Sequence, residues 1–410
     1  MIRMKIGFCK TAITPPIGMY LAGFSARSEP SRGVLDDLYV RCTALSIGGE
    51  VALLATLDQL AIDLGFRDKI ASYVSDRLGI PQEHVIVCAT HTHSAPYVYE
   101  NDAYAEYLAR SVAGCLTCAY GHMHEVRKVV MGRSYAPELV YNRRDPFRGV
   151  VDPELAVLLF KRSAGDVVFV NFSSHPVVLG PNNLYISSDY PGALLRFLDK
   201  ILGFSSSTFY TGCAGNVNPF TSSTDLKNPY DRSRSSYSEV LDYARILGGE
   251  VLKALSLNSI SRNCDGFGLL CRNVRLKVRK GVEELLREEL KKFRDSCPRQ
   301  SLWYVDILRR MLSRIGNGFV TTRVCVLALA GAALYFLPSE PFVEHQLFLK
   351  ERSPYEMNMV VSYANDYVGY IPTQDEFEKG GYEVGMSIVE RGEGEKLRDV
   401  ALELAGELVR

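Results

Sequence analysis

Short apolar runs alternate with amphipathic segments through the first two-thirds of this chain, and that rhythm restricts the fold more than any other feature. EVALLATLDQ (50–59) reads as a buried strand ending at Asp58, and RDKIASYVSDRLG (67–79) as a helix stopped by Gly79. HVIVCA (84–89) is a second buried strand and AYAEYLARSVAGCLTCAY (103–120) a second helix. LAVLLFKRSAGDVVFVNFSSHP (155–176) reads as a hairpin around SAGD, its second strand running into His175. Strand–helix alternation with hairpins mixed in predicts an α/β fold, a mixed β-sheet core with flanking helices.

From about 280 the character changes. GVEELLREELKKFRD places Val282, Leu285, Leu286 and Phe293 at helical spacing, and LWYVDILRRMLSRIGNG follows as a second amphipathic helix. The pair reads as a helical hairpin, 280–318, inserted into a single domain over 1–410 and packed on its core, with a lid over an active site as the alternative. Strands are expected again from Val324, and EKLRDVALELAGELV (395–409) closes the chain as a helix. The longest apolar run, 324–337, is fourteen residues. It falls short of the ~20 that span a bilayer, and its central Gly331 suggests two buried strands joined by a tight turn.

Lys plus Arg equals Asp plus Glu, 47 each, so no global charge points to nucleic acid or an acidic membrane. The N-terminus lacks an apolar core followed by a cleavage site, which predicts a cytoplasmic protein. Ten cysteines in such a chain are expected to be reduced thiols. Cys115 and Cys118 form a lone CxxC, best read as core cysteines on a helix face. His122 and His124 nearby leave a weaker metal-site reading.

Three strand ends finish in residues that carry chemistry: Asp58, the pair His91/His93, and His175. Each alone has a plain explanation, Asp58 as a helix cap and His175 as a turn histidine before Pro176. Only seven histidines exist in 410 residues, so three at comparable positions point to a site. Imidazole nitrogen suits zinc. Extended backbone turns residues i and i+2 to one side, so His91 and His93 can face one cavity. A catalytic zinc usually takes three protein ligands, and Glu340 in FLPSEPF, stiffened by Pro338 and Pro341, is the candidate carboxylate.

Seven motifs in matching order resemble the neutral/alkaline ceramidase superfamily of zinc amidases. They are TAITPPIGMYLAGFSAR (11–27), DDLYVRCTAL (36–45), THTHSAP (90–96), YNRRDP (141–146), SSHPVVLGPNNLYISSDYPG (173–192), FLPSEPF (336–342) and NDYVGYIPTQDEFEKGGYE (365–383). The resemblance implies a zinc bound by His91, His175, Glu340 and Tyr370, with Tyr367 as the rival tyrosine. It assigns His93 to the substrate carbonyl, Arg143 to the polar head and Tyr382 to the pocket lining. Where the family carries a serine in Gly-Asp-Val-Ser-Pro, this chain has GCAGNVNP, with Asn216 and Asn218. An amide is never a nucleophile, so Asn218 is expected to orient the substrate. Ser339 and Ala12 also depart from the family pattern, and the chain leaves no room for the immunoglobulin-like C-terminal domain of longer members.

The resulting expectation is zinc-dependent hydrolysis of an amide in a small N-acyl or lipid-like substrate by activated water. An ester, lactone or cyclic amide substrate, or a non-catalytic metal-binding homologue, is the alternative. Ser187, Ser188 and Asp189 are expected mainly to cap the helix that follows. Oligomeric state is not legible in the sequence.

Overall fold

The computed structural model describes residues 3–203, 206–264, 266–296 and 302–409. Nine strands form the larger sheet: β1 (Lys5–Ala12), β2 (Tyr39–Ile47), β3 (Glu50–Leu57), β4 (Val85–Ala89), β5 (His124–Tyr135), β6 (Glu154–Arg162), β7 (Val167–Phe172), β8 (Ser206–Thr211) and β9 (Ser259–Arg262). Their order is β8-β7-β6-β5-β1-β2-β3-β4, with β9 paired to β5. The β3/β4 and β7/β8 pairs are parallel and the rest antiparallel, so the sheet is mixed. A second sheet joins β10 (Phe267–Lys277), β11 (Phe319–Leu329), β12 (Ala332–Phe336) and β13 (Met357–Val361), the last pair parallel.

The helices cover the sheets as the alternation predicts. α1 (Leu64–Leu78), ended by Gly79 in the left-handed region at φ 69°, packs on α2 (Asp102–Gly121), and α2 lies across β1 and β2. α3 (Asp189–Leu202) and α4 (Tyr237–Ser256) cover the other half of the sheet. Between the two sheets lies a core of Leu54, Ile86, Met131, Phe160 and Phe169 from one and Leu327, Leu334, Phe336 and Met359 from the other. α5 (Val282–Ser296) and α6 (Leu302–Arg314) stand between β10 and β11, and pack on one another. α7 (Val343–Arg352) follows Glu340, and α8 (Glu393–Glu407) covers β10 and β11. No helix among the described residues is long and apolar enough to cross a membrane.

Three local expectations change. β11 begins at Phe319, five residues before Val324, because pairing with β10 runs its full length and buries alternate residues Val320 and Thr322 ahead of the continuous apolar run. A tight turn at Ala330 and Gly331, both at positive φ, follows it as expected. Cys271 and Cys325 form a disulfide, contrary to reduced thiols throughout: the β10/β11 register sets them directly opposite, with Cα atoms 4.1 Å apart. The other correction concerns Ser188, which occupies the N-cap position of α3 but makes no side-chain cap. Its hydroxyl and that of Ser187 donate instead to Asp36, while the Asp189 carboxylate accepts from the backbone of Val178, Leu179 and Tyr190.

Candidate metal centre and its cavity

His91 and His93 follow the carboxyl end of β4, His175 that of β7, and Glu340 that of β12. These strands all belong to parallel pairs, and the carboxyl ends of such pairs are where α/β folds place their sites. The three Nε2 atoms converge: His91 to His175 is 3.0 Å, His93 to His175 is 3.1 Å and His93 to His91 is 3.2 Å. All three rings are buried.

Their outer nitrogens are not equivalent. His91 Nδ1 lies 2.6 Å from the Leu60 carbonyl and His175 Nδ1 lies 3.1 Å from that of Ala214. A carbonyl accepts only, so each Nδ1 carries the proton and each Nε2 presents a lone pair to the shared centre. Among the described residues His93 Nδ1 makes no bond of that kind, with only a weaker contact to the Gly23 backbone beside it. Burial, followed by the neighbouring His91 and Arg143, holds His175 well below the usual imidazole range, and burial then His91 does the same for His93. The His91 and His175 lone pairs, 3.0 Å apart, repel unless something positive sits between them. Tetrahedral zinc, with Zn–N of about 2.0–2.1 Å, sets its nitrogens about 3.3 Å apart. The donor set therefore fits a zinc ion.

Glu340 Oε2 lies 3.5 Å from His91 Nε2 and 3.9 Å from His175 Nε2, and it is buried without a hydrogen-bond partner. Burial raises this carboxyl, but the electrostatics of the neighbouring His91, Tyr367 and Arg143 outweigh it, leaving the group below the ordinary range. A buried carboxylate oxygen with no donor is what a cation would satisfy. The parallel pairing of Glu340 with Tyr370 brings that tyrosine alongside. The two tyrosines divide their bonds: Tyr367 donates to Glu340 Oε1, whereas Tyr370 accepts from Arg143 Nη2 at 3.0 Å.

Arg143 is committed to the protein. Its Nε donates to Glu383 at 2.7 Å, Nη2 to the Gly215 carbonyl at 2.8 Å and Nη1 to Asn218 Oδ1 at 3.4 Å. Asn218 is buried between Arg143, Tyr141 and the Pro229 carbonyl, outside the walls of the main cavity. Tyr382, half-exposed at 56%, does line that cavity. Asp58 neither caps a helix nor joins the centre: it accepts from the Tyr39 backbone and the buried Arg41, and Asp63 caps α1. Cys115 is buried on α2 as a core thiol, and Cys118 is half-buried with His122 Nδ1 at 3.6 Å from its sulfur.

The sequence reading missed several parts of the site. Tyr363 stacks flat on His91, with ring centroids 3.8 Å apart and planes 8° apart, and both residues hold positive φ. Such strain in a bulky residue persists only where packing enforces it. Arg27, buried, donates to the carbonyls of His93, Ala22 and Asn183, clamping three loops around the centre. Gly23 packs so close to the His93 ring that a Cβ would fall 2.4 Å from its Cγ. The helical hairpin, read from sequence mainly as a core-packing pair, borders the site. Val282, Leu285, Leu286, Trp303, Ile307, Leu308 and Met311 form the apolar wall of a cavity of about 130 Å³. His91, His93, Glu340 and Tyr370 line the same cavity. Amphipathic spacing alone leaves open whether such a face packs on core or borders a cavity.

Fold and site together define an α/β protein with three imidazoles and a carboxylate converging at the foot of an apolar cavity. The fold is neutral-ceramidase-like. The crystal structure of neutral ceramidase from Pseudomonas aeruginosa superimposes with a TM-score of 0.80 at 16% identity, covering 100% of this chain and 75% of that one. A ceramidase solved in complex with C2 gives 0.79 at 14% identity, covering 100% and 76%. No family model and no curated protein matches the sequence.

Proposed function

We propose that the protein is a zinc-dependent hydrolase that cleaves an amide bond in an N-acyl, lipid-like compound. The observation that carries this reading is the convergence of three Nε2 atoms and an unpartnered Glu340 oxygen at the foot of an apolar cavity. His91, His175 and Glu340 are assigned as metal ligands, because metal-bound histidines almost always donate their other N–H to a carbonyl or carboxylate. Tyr370 is the fourth candidate, since the Tyr367 hydroxyl is already spent on Glu340.

Zinc, when bound, supplies Lewis acidity that brings deprotonation of water from a pKa of 15.7 to about 7. His93, whose outer nitrogen is held only weakly by the Gly23 backbone, faces the substrate carbonyl and donates to the oxygen as negative charge builds on it. Tyr370 accepts from Arg143, which leaves its own hydroxyl proton free to point into the cavity and serve the same oxygen. The hairpin wall takes the acyl chain and excludes water from the reacting carbonyl. Arg143 and Asn218 act by holding Tyr370 and Glu383 rather than by touching the chain. No side chain here is placed as a nucleophile, which agrees with Asn218 at the position of the family's serine.

The near-equal Nε2 separations favour a second reading, in which His93 is a third ligand and Glu340 takes the proton from water. The test of the function itself is direct. Purified protein is assayed for zinc and then offered matched amides, esters and lactones of one long-chain acid. About one zinc per chain with amide cleavage supports the proposal. Zinc-loaded protein that cleaves only esters or lactones, or nothing, refutes it.

A further inference from the structure

Tyr363 is fully buried, and its ring lies flat on the His91 imidazole, with centroids 3.8 Å apart and planes 8° apart. His93 and His175 meet the same imidazole edge-on, at 80° and 68°, so the tyrosine is what covers its flat face. A hydrogen bond at one ring nitrogen fixes a direction but leaves the ring free to swing about it. His91 Nδ1 has such a bond, to the Leu60 carbonyl, and a swing about it would carry Nε2 off the shared centre. The flat contact opposes that swing. It is made by the ring alone, since the Tyr363 hydroxyl is buried with no hydrogen-bond partner among the described residues.

The Tyr363 backbone binds both ligand-bearing segments. Its N–H donates to the Ser339 carbonyl, next to Glu340, and its own carbonyl accepts from Ala89, two residues before His91, both at 3.1 Å. Ala364 and Asn365 extend the contact onto Cys88 and Val87 of β4. Tyr363 makes these bonds at a φ of 55°, a conformation that glycine takes freely and a bulky residue does not. A tyrosine there accepts local strain and sets a ring against His91. We propose that Tyr363 is a positioning residue of the metal centre, its ring fixing the plane of the His91 imidazole and its backbone joining the His91 strand end to the Glu340 turn. The proposal rests on His91 being a metal ligand, not on any bond being cleaved.

The experiment uses the full-length protein, stripped with a chelator and reloaded with zinc or with cobalt(II), whose visible d–d bands report ligand geometry. Zinc affinity is read by competition against a chromophoric chelator. Tyr363→Leu is expected to bind zinc about 10- to 100-fold more weakly, the usual loss when a ligand's supporting partner is removed, and to shift the cobalt bands. Tyr363→Phe keeps the ring and discards only the unpartnered hydroxyl, so its affinity and bands are expected to match the wild type. Asp58→Ala, destabilised through Arg41 rather than through the centre, is the control, and its bands are expected to stay at the wild-type positions. Should Tyr363→Leu not fold, Tyr363→Asn takes its place, because asparagine accepts the left-handed φ. Wild-type affinity and bands in the Leu or Asn variant overturn the proposal. So does loss of metal in Tyr363→Phe as severe as in Tyr363→Leu, an equal band shift in Asp58→Ala, or a wild type that takes up no metal. The expected binding pattern without any amide cleavage refutes the hydrolase reading and leaves this one standing.

Discussion

Replacing His175 and His93 one at a time separates the groups that hold the metal from those that serve the substrate. Both Nε2 atoms reach the same centre, 3.1 Å from each other, so proximity does not distinguish them. The outer nitrogens do: His175 Nδ1 is anchored on the Ala214 carbonyl, whereas His93 Nδ1 has only a weaker contact to the Gly23 backbone. A four-ligand zinc site is worth about 10–16 kcal/mol, hence about 2.5–4 kcal/mol per ligand. His175→Ala is therefore expected to weaken zinc about 10²- to 10³-fold. His93→Ala is expected to leave zinc affinity within about threefold and to lower kcat about 10²- to 10³-fold, the usual loss of one oxyanion donor. Competition against a chromophoric chelator gives the affinities, and elemental analysis gives the stoichiometry. If His93→Ala loses zinc as severely as His175→Ala, the three imidazoles act as equivalent ligands and the division of roles is refuted.

Three further outcomes follow from the packing. Asp58→Ala leaves Arg41 buried without its carboxylate and is expected to cost about 3–5 kcal/mol in urea unfolding with zinc content unchanged; loss of zinc with intact stability would show instead that Asp58 belongs to the centre. Gly23→Ala drives a methyl into the His93 ring at a backbone φ of 100°, so turnover is expected to fall more than tenfold while zinc affinity holds, checked by steady-state kinetics beside the chelator assay. Cys271→Ser opens a loop closed over 54 residues and is expected to lower stability by about 2–4 kcal/mol in non-reducing buffer, with no difference from the wild type once dithiothreitol is present.

The architecture was largely legible because its signals are local. Strand periodicity, Gly79 as a helix stop and the turn at Gly331 depend on neighbours in the chain, and each reappears where it was expected. Histidines at strand ends pointed to the centre for a similar reason: a strand end is visible in sequence, and the carboxyl ends of parallel pairs share one side of a sheet. Where the local signal was ambiguous the reading failed. Asp58 ends its strand as His91 does, yet it faces Arg41, because which way a strand end turns is set by its neighbour in the sheet. The disulfide was missed since Cys271 and Cys325 are opposed only through the β10/β11 register, which an intervening helical hairpin hides.

The sequence by itself determined the order of strands and helices, the absence of a strong charge bias, and a short list of residues able to bind a metal. Only the tertiary structure decided that His91, His93 and His175 share one centre, that Arg143 spends its donors on Glu383 and Tyr370, and that the hairpin residues line a cavity beside it. The physical reason is range. Periodicity and capping act over a few residues, whereas a site is made by side chains up to 250 positions apart, and their meeting depends on how two sheets stack and which face each helix buries.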